Sequence, residues 1–77
     1  MNLNQLRYFV DVANSQNITK TAQKYLLPPS AISSSIKKLE LELGVELFAR
    51  THNKIILNAK GRYFAGEMAA MLQMLDD

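Results

Sequence analysis

Four residues near the middle of the chain could hydrogen-bond to another molecule from one side of a helix: Ser30, Ser33, Ser34 and Lys37. Ile32, Ile36 and Leu39 recur at the spacing of a buried helical stripe, so the serines and the lysine are predicted on the opposite face. Small side chains let a helix approach a surface closely, and hydroxyl and ammonium groups can bond to base edges in the major groove of DNA. The pattern indicates a helix face for duplex DNA, against the alternative of serines that merely decorate a solvated helix.

Positive charge is concentrated in the central part of the chain. Residues 20–62 contain eight lysines and arginines against three glutamates, an excess of five positive charges, whereas the whole chain carries a net charge of +2. The remaining acids lie near the two ends. Such an excess is typical of a surface that faces phosphates. The competing interpretation is a solvated lysine surface that aids solubility.

Composition argues against catalysis and metal binding. The chain has no cysteine and a single histidine, His52, and it lacks both a glycine-rich phosphate loop and a carboxylate pair in a plausible cleft. An enzyme is therefore the least supported class, and neither a metal nor a cofactor is expected in this segment. Arg7 and Asp11 interrupt the first apolar stretch, so we expect no signal peptide, no membrane span and a cytoplasmic location.

Short amphipathic helices are the elements expected to hold the serine face in place. Apolar residues at helical spacing predict a first helix over about residues 3–14. A polar turn follows at residues 14–17, and Asn17 or Thr19 can cap a second helix. The buried positions expected in that helix are Ile18, Ala22, Tyr25 and Leu26.

Two prolines and a glycine delimit the third helix, which is expected over about residues 29–43. Pro28 cannot continue the preceding helix, whereas Pro29 suits the first turn of the next one because its missing donor would be unpaired there anyway. Gly44 occupies the position of a left-handed C-cap residue. The helical stripe is also longer than the apolar alternation at residues 39–43, so we favour a helix there over a strand.

Two apolar runs, at residues 47–50 and 54–57, flank polar residues and predict a β-hairpin. Its Arg50, His52, Asn53 and Lys54 could lie along phosphates or enter a minor groove, although a charged loop without a partner is the alternative. His52 is interpreted as a bystander. Asn58 can cap a fourth helix with an apolar stripe of Phe64, Met68, Met71, Leu72 and Leu75. The predicted fold class is mainly α, a winged helix-turn-helix followed by a long helix.

Core, cap and turn positions together also carry a family resemblance. The matching residues are Leu3, Leu6, Tyr8-Phe9, Ala22, Ala31-Ile32-Ser33, Ile36, Leu39-Glu40, Leu43-Gly44-Val45, Leu47-Phe48, Arg50-Thr51, Leu57 and Gly61. This pattern spans nearly the whole chain without gaps and resembles the N-terminal region of LysR-type bacterial transcription regulators. The resemblance implies a DNA-binding domain over residues 1–58 and a linker or dimerisation helix over residues 59–77.

The resemblance further implies sequence-preferring binding of double-stranded DNA by a homodimer at an inverted repeat. The third helix would enter the major groove, and the wing at about residues 48–57 would lie on the backbone or in the minor groove. The candidate DNA-contacting residues are Thr19, Lys20, Pro29, Ser30, Ser33, Ser34, Lys37, Lys38, Arg50, Thr51, Asn53 and Lys54. The rival interpretation is a protein-interaction winged helix with little or no DNA binding.

Three departures from the family pattern fall at positions that read bases. Pro28-Pro29-Ser30 stands where the family usually has Ser-Gln-Pro, Ser34-Ser35 stands where it has Arg and Gln, and Asn53 replaces a frequent minor-groove Arg. We expect this chain to share the fold and the general docking of the family, but not its usual operator preference. Each lost direct base contact removes about 1–3 kcal/mol of discrimination, so specificity would lean on DNA shape, the remaining serines, Lys37 and the wing.

Pairing of two copies is expected through the fourth helix. Its candidate interface residues are Met68, Met71, Leu72 and Leu75, whereas Phe64 is expected to pack inside the single chain. Asp76 and Asp77 place negative charge at the negative end of the helix dipole, and no capping residue follows. We therefore expect the chain to be cut within the linker helix, with the effector domain, and any small-molecule inducer that it would bind, absent. A bacterial, nucleoid-associated location follows from the same resemblance.

Overall fold

Four helices and one antiparallel hairpin make up the computed structural model, which describes residues 1–51 and 54–76 and, for Arg50, Thr51 and Lys54, the backbone alone. The elements are α1 (Leu3–Ser15), α2 (Ile18–Tyr25), α3 (Pro29–Leu43), β1 (Phe48–Thr51), β2 (Lys54–Leu57) and α4 (Ala59–Asp76). The predicted mainly α winged helix-turn-helix is confirmed. The expectations for His52, Asn53 and Asp77 lie outside the described residues. Within the described part, no helix is long and apolar enough to cross a membrane.

Side-chain caps set where α1 and α2 begin. The Asn2 side chain accepts a hydrogen bond from the Gln5 amide, and the Gln5 side chain accepts one from the Asn2 amide, each at 2.9 Å. This reciprocal capping box satisfies two amides that the helix itself cannot pair. At the start of α2, Asn17 Oδ1 accepts from the Lys20 amide at 2.9 Å. Of the two caps that the sequence allowed, Asn17 and Thr19, the helix uses Asn17.

Each of the first three helices ends in a left-handed residue. Gly44 adopts φ 72°, which glycine accepts without strain, but Gln16 (φ 54°) and Leu26 (φ 58°) hold the same conformation with side chains, at about 1–2 kcal/mol each. The prediction that Leu26 is buried is wrong, because this left-handed turn directs its side chain outward and leaves it 92% exposed. Leu27 packs against the core in its place, and its amide bonds the Ala22 carbonyl at 2.9 Å.

The core lies where the inward faces of all four helices meet the hairpin. Its buried apolar residues are Leu6, Phe9, Val12, Ala22, Ile32, Ile36, Leu39, Leu47, Phe48 and Leu72. The fully buried Phe9 ring stands 5.6 Å from the Phe48 ring and 5.4 Å from the Phe64 ring, measured between centroids. Aromatic pairs favour such tilted or edge-on contacts. α1 is thus the central helix, against which α2, α3 and α4 pack.

One side of α4 belongs to this core along most of the helix. Phe64 and Met68 pack against the core, and Leu72 is only 6% exposed. The expected place of Leu72 on an outward pairing face is therefore corrected. α1 and α4 pack side by side, so Leu72 reaches the core of its own chain.

The Asn58 side chain joins the hairpin to α4. Its Oδ1 accepts from the Gly61 amide at 2.8 Å, which confirms the predicted cap, and its Nδ2 donates to the Glu46 carbonyl at 2.8 Å. Gly61 lies so close to the strand that a Cβ there would stand 2.0 Å from the Leu47 carbonyl oxygen. The first turn of α4 is therefore pressed directly against the chain that enters the wing.

Candidate nucleic-acid interface

The polar face of α3 is presented by a helix that is anchored on its other side. Ile32 and Leu39 are fully buried. The structure places Ser30, Ser34 and Lys37 on the exposed face, as predicted, whereas Ser33 is half-buried. Since the buried stripe fixes the rotation of α3 about its axis, the exposed hydroxyls and the ammonium group point away from the core.

The N-terminal end of α3 is open. Pro28 is the N-cap residue, in extended conformation (φ −69°, ψ 148°), and no side chain caps the helix. Pro29 is its first residue, and both proline rings are exposed. A helix N-terminus carries partial positive charge, so this end favours a nearby anion such as a phosphate.

Hydrogen bonds at the other end of α3 fix the position of the hairpin. The Glu40 carboxylate accepts from the Leu47 amide at 2.7 Å. The Val45 amide bonds the Glu40 carbonyl at 3.2 Å, and the Gly44 amide bonds the Leu41 carbonyl at 3.3 Å. This paired arrangement closes the helix in the manner of a Schellman motif. Glu40 therefore sets how the wing stands relative to the exposed face of α3.

α2 is held against α1 by a small polar and aromatic cluster. The hydroxyl of Tyr25 and the ammonium of Lys24 both donate to the carboxylate of Asp11, the latter at 3.0 Å. The Tyr25 ring meets the Tyr8 ring edge-on at 4.7 Å. Burial raises the pKa of the Tyr25 phenol, and its hydrogen bond to Asp11 raises it further. Lys24, one of the eight lysines and arginines between residues 20 and 62, is therefore paired within the chain.

Three lysines around the helix-turn-helix have no carboxylate partner among the described residues. Lys20, Lys37 and Lys38 are exposed, and none forms an ion pair in the part of the chain that the structure covers. Thr19 is exposed beside Lys20 in the first turn of α2. These ammonium groups remain available for phosphates.

The hairpin carries its candidate residues at the end remote from the core. Phe48 pairs with Leu57, and the register then runs outward to Thr51 opposite Lys54. Phe48 is buried, which anchors the inner end. The backbone thus places Arg50, Thr51 and Lys54 in the outer half of the wing, whereas Asn53 lies outside the described residues.

Two features of the α2–α3 region were missed by sequence reasoning. Leu26 and Pro28 are exposed beside Pro29, which gives the turn an apolar surface. A left-handed leucine has no sequence signal comparable to that of glycine. The Ser35 hydroxyl is buried and has no hydrogen-bond partner among the described residues, so α3 presents Ser34 but not Ser35 outward.

Comparison with known sequences gives a consistent set of relatives. The family model described as bacterial regulatory helix-turn-helix protein, lysR family, matches residues 3–62. The Hca operon transcriptional activator HcaR of Escherichia coli is 38% identical over 77 residues, which cover 100% of this chain and 26% of that protein. The regulator BenM of Acinetobacter baylyi is 34% identical over 76 residues, 99% of this chain and 25% of BenM. The chain therefore spans about a quarter of the length of these relatives.

Solved structures agree with the sequence matches. The DNA-binding domain of BenM in complex with catB site 1 DNA superimposes with a TM-score of 0.93 at 34% identity, covering 99% of this chain and 84% of that one. Full-length CbnR in complex with its target DNA gives a TM-score of 0.89 at 32% identity, covering 99% of this chain and 26% of CbnR.

Proposed function

Since the chain belongs to the lysR family of bacterial regulatory helix-turn-helix proteins and is a DNA-binding domain of that family, we propose that it docks on double-stranded DNA with α3 in the major groove. The observation that carries this placement is the two-sided character of α3. Ile32 and Leu39 are fully buried, while Ser30, Ser34 and Lys37 are exposed on the side that a groove could receive. A helix of this kind fits the major groove and reads base edges with its N-terminal residues.

Phosphate contacts are assigned to the residues that flank α3. Thr19 and Lys20 begin α2, which crosses the backbone in helix-turn-helix proteins, and Lys37 and Lys38 extend the positive surface along α3. The outer half of the wing, with Arg50, Thr51 and Lys54, completes the contact on the backbone or in the adjacent minor groove, and Asn53 is assigned to the same contact from its place in the sequence. Such contacts fix orientation and supply affinity without reading sequence.

We also propose that two copies pair through α4 and bind an inverted repeat. Met71, Met74 and Leu75 are 37%, 79% and 58% exposed on a helix whose other side is in the core. With Leu72 buried, these three residues and the half-buried Met68 form the apolar surface available to a partner. Residues 59–77 would then link the DNA-binding region to the remainder of a longer cytoplasmic regulator, where any small-molecule inducer would act; no cofactor is assigned to this segment.

Ser34→Glu tests the placement of α3. Duplexes selected from a random pool should bind the unaltered chain with an affinity that falls steeply with salt, because each neutralised phosphate contributes about −0.9 to the slope of log K against log salt concentration. The new carboxylate of Ser34→Glu would face the negative groove, so we expect at least about tenfold weaker binding with an unchanged unfolding temperature. Fluorescence anisotropy and thermal unfolding measure the two quantities.

Asn4→Glu is the matched control, since it adds the same charge at an exposed position near the start of α1. Its affinity should stay within about threefold of the unaltered chain, because the Debye length is only about 10 Å in 0.1 M salt. Equal binding by Ser34→Glu would remove α3 from the interface. Failure to bind any duplex, or binding that ignores salt, would favour the protein-interaction winged helix instead.

A further inference from the structure

The outward face of α3 from Ser30 to Lys37 contains few groups that distinguish one base from another. The hydroxyls of Ser30 and Ser34 can donate or accept, so each can bond to the edge of any base pair. The ammonium of Lys37 serves a guanine edge or a phosphate. Discrimination by hydrogen bonding alone would therefore be weak at this helix.

Apolar groups are exposed at the N-terminal end of α3 and in the turn that precedes it. Leu26, Pro28 and Pro29, which we call the apolar edge, are all exposed, and Leu26 is 92% exposed. Leu26 holds φ 58° at the C-cap of α2, a conformation that glycine or asparagine adopts at lower cost. None of the three belongs to the core or packs against it. Packing of the core therefore does not account for the apolar side chains here.

Thymine is the one natural base that offers an apolar group, its C5-methyl, in the major groove. Pro29 is the first residue of α3 and has a rigid ring, which loses no rotamer entropy when it is immobilised. A proline at that position has no N–H group, so its contact with a methyl group would leave no hydrogen-bond donor unpaired. We propose that Pro29 recognises a thymine methyl in each half-site; this inference rests on the proposed docking of α3 in the major groove.

The surrounding charges make this recognition separable from binding itself. Lys20, Lys37 and Lys38 are exposed and form no ion pair within the described chain, so they attract any duplex regardless of its sequence. Loss of one methyl contact should therefore weaken a selected duplex without abolishing binding. Complete absence of binding would instead indicate that the proposed docking, or the phosphate contacts of the lysines, is wrong.

Replacement of thymine by deoxyuridine is the direct test, because it removes the methyl group and leaves every hydrogen-bonding group in place. A duplex selected from a random pool is resynthesised with each thymine replaced in turn, and binding is measured by anisotropy at fixed salt. We expect one position per half-site at which the unaltered chain binds about fourfold more weakly, the factor that corresponds to one buried methyl-sized group. Equal affinity at every position would overturn the inference while leaving the proposed function intact.

Two variants assign the effect to Pro29. Pro29→Ala should bind the thymine and deoxyuridine duplexes equally, whereas Leu26→Ala, the control at the other end of the apolar edge, should keep the fourfold difference. Pro29→Gln should change the preferred base at that position towards adenine, since a glutamine amide bonds adenine bidentately. A Pro29→Ala protein that keeps the difference, or a Leu26→Ala protein that loses it, would overturn the assignment to Pro29. Absence of binding to all duplexes would overturn the proposed function as well.

Discussion

Two glycines of α4 have opposite surroundings. A Cβ at Gly61 would stand 2.0 Å from the Leu47 carbonyl oxygen and 2.8 Å from a methyl of Leu57, whereas a Cβ at Gly66 would meet no heavy atom within 4 Å among the described residues, apart from its neighbours and the backbone of its own helix. Backbone cannot yield as a flexible side chain can, so Gly61 permits a close approach of α4 to the chain before β1. Gly66 meets no such constraint and only lowers the helix propensity.

Gly61→Ala should therefore destabilise the fold by about 1–3 kcal/mol, the range for overpacking of a filled site. Gly66→Ala, the same chemical change five residues later, should stabilise it by about 1 kcal/mol through helix propensity. Urea unfolding followed by circular dichroism gives both free energies. Equal effects of the two substitutions would contradict the close packing of α4 on the chain before the wing.

Sequence alone predicted the residues whose roles are local. Asn17 and Gly44 act within one turn of their own helices, and Asn58 caps its own helix, so short-range rules identified all three. Leu26 and Gly61 were different. The exposure of Leu26 depends on a left-handed backbone conformation, which a leucine in the sequence does not indicate. Gly61 is required because its Cα packs against the Leu47 carbonyl, 14 residues earlier in the chain.

At the scale of elements, α4 has two unlike apolar sides. Phe64, Met68 and Leu72 pack towards the core, whereas Met74 and Leu75 are 79% and 58% exposed. A helix that is apolar on both sides needs a second partner for the side that its own chain does not cover. The available partner in the proposed function is α4 of another copy.

A carboxylate on the exposed apolar side should disrupt that pairing. Met71→Asp and Met74→Asp would each bury an unpaired charge between apolar side chains, so we expect at least about a tenfold weaker dimer, equal to about 1.4 kcal/mol. Sedimentation velocity over a dilution series measures the change. Ala69→Asp adds the same charge at an exposed position about 200° around the helix from Met71 and should leave the dimer unchanged. An unaltered dimer in the two methionine variants would refute this pairing surface.

Element order and type followed from the sequence because periodicity is a local signal. The stripe from Ile32 to Leu43 and the two runs around the hairpin turn determined α3, β1 and β2 to within about a residue. The inward side of α4 was only partly predicted. Periodicity identified an apolar stripe that includes Leu72, but only the packing of α1 alongside α4 shows that Leu72 contacts its own core.

At the scale of the whole molecule, a bidentate ion pair joins the two ends of the fold. The Arg7 guanidinium of α1 donates to both carboxylate oxygens of Asp76, at 2.8 Å each, across 69 residues of sequence. These hydrogen bonds lower the pKa of Asp76 below its ordinary value of 3.8. Asp76 places an unfavourable charge at the C-terminal end of the helix dipole, as expected from the sequence, but Arg7 compensates that charge.

The ion pair gives acid sensitivity of predictable sign. Because the pKa of Asp76 is lower in the folded state, its stabilising contribution is complete above pH of about 5 and is lost as the pH falls through the folded-state pKa. Asp76→Asn should therefore lower the unfolding temperature slightly at neutral pH, and this difference from the unaltered chain should shrink as the pH falls below 3.8. Thermal unfolding from pH 2 to pH 7 measures this difference.

Glu67→Asn, at an exposed position of the same helix without an ion pair in the described chain, is the control. A difference between Asp76→Asn and the unaltered chain that does not depend on pH would contradict the role of the ion pair.

The general location of the site was predictable because amphipathicity fixes which side of α3 is free. Ser30, Ser34 and Lys37 were placed correctly on that basis, whereas Ser33 is half-buried. The availability of each cation was less predictable. Lys24 looked equivalent to Lys20 in the sequence, but the structure pairs it with Asp11, and ion pairs between helices leave no local trace.

The burial of Leu72 has a practical meaning for anyone who builds chimeric regulators. A graft that ends after the wing, at residue 58, would leave behind Phe64 and Leu72 and expose the hollow that they fill. The smallest DNA-binding unit that could be moved into another protein therefore extends at least to Leu72. That residue lies within one helical turn of Met71 and Met74, which are proposed to form the pairing surface. DNA specificity and the first part of the pairing surface, Met68 and Met71, would then be inherited together, so a hybrid with a new pairing partner would need substitutions at these methionines as well as a new junction.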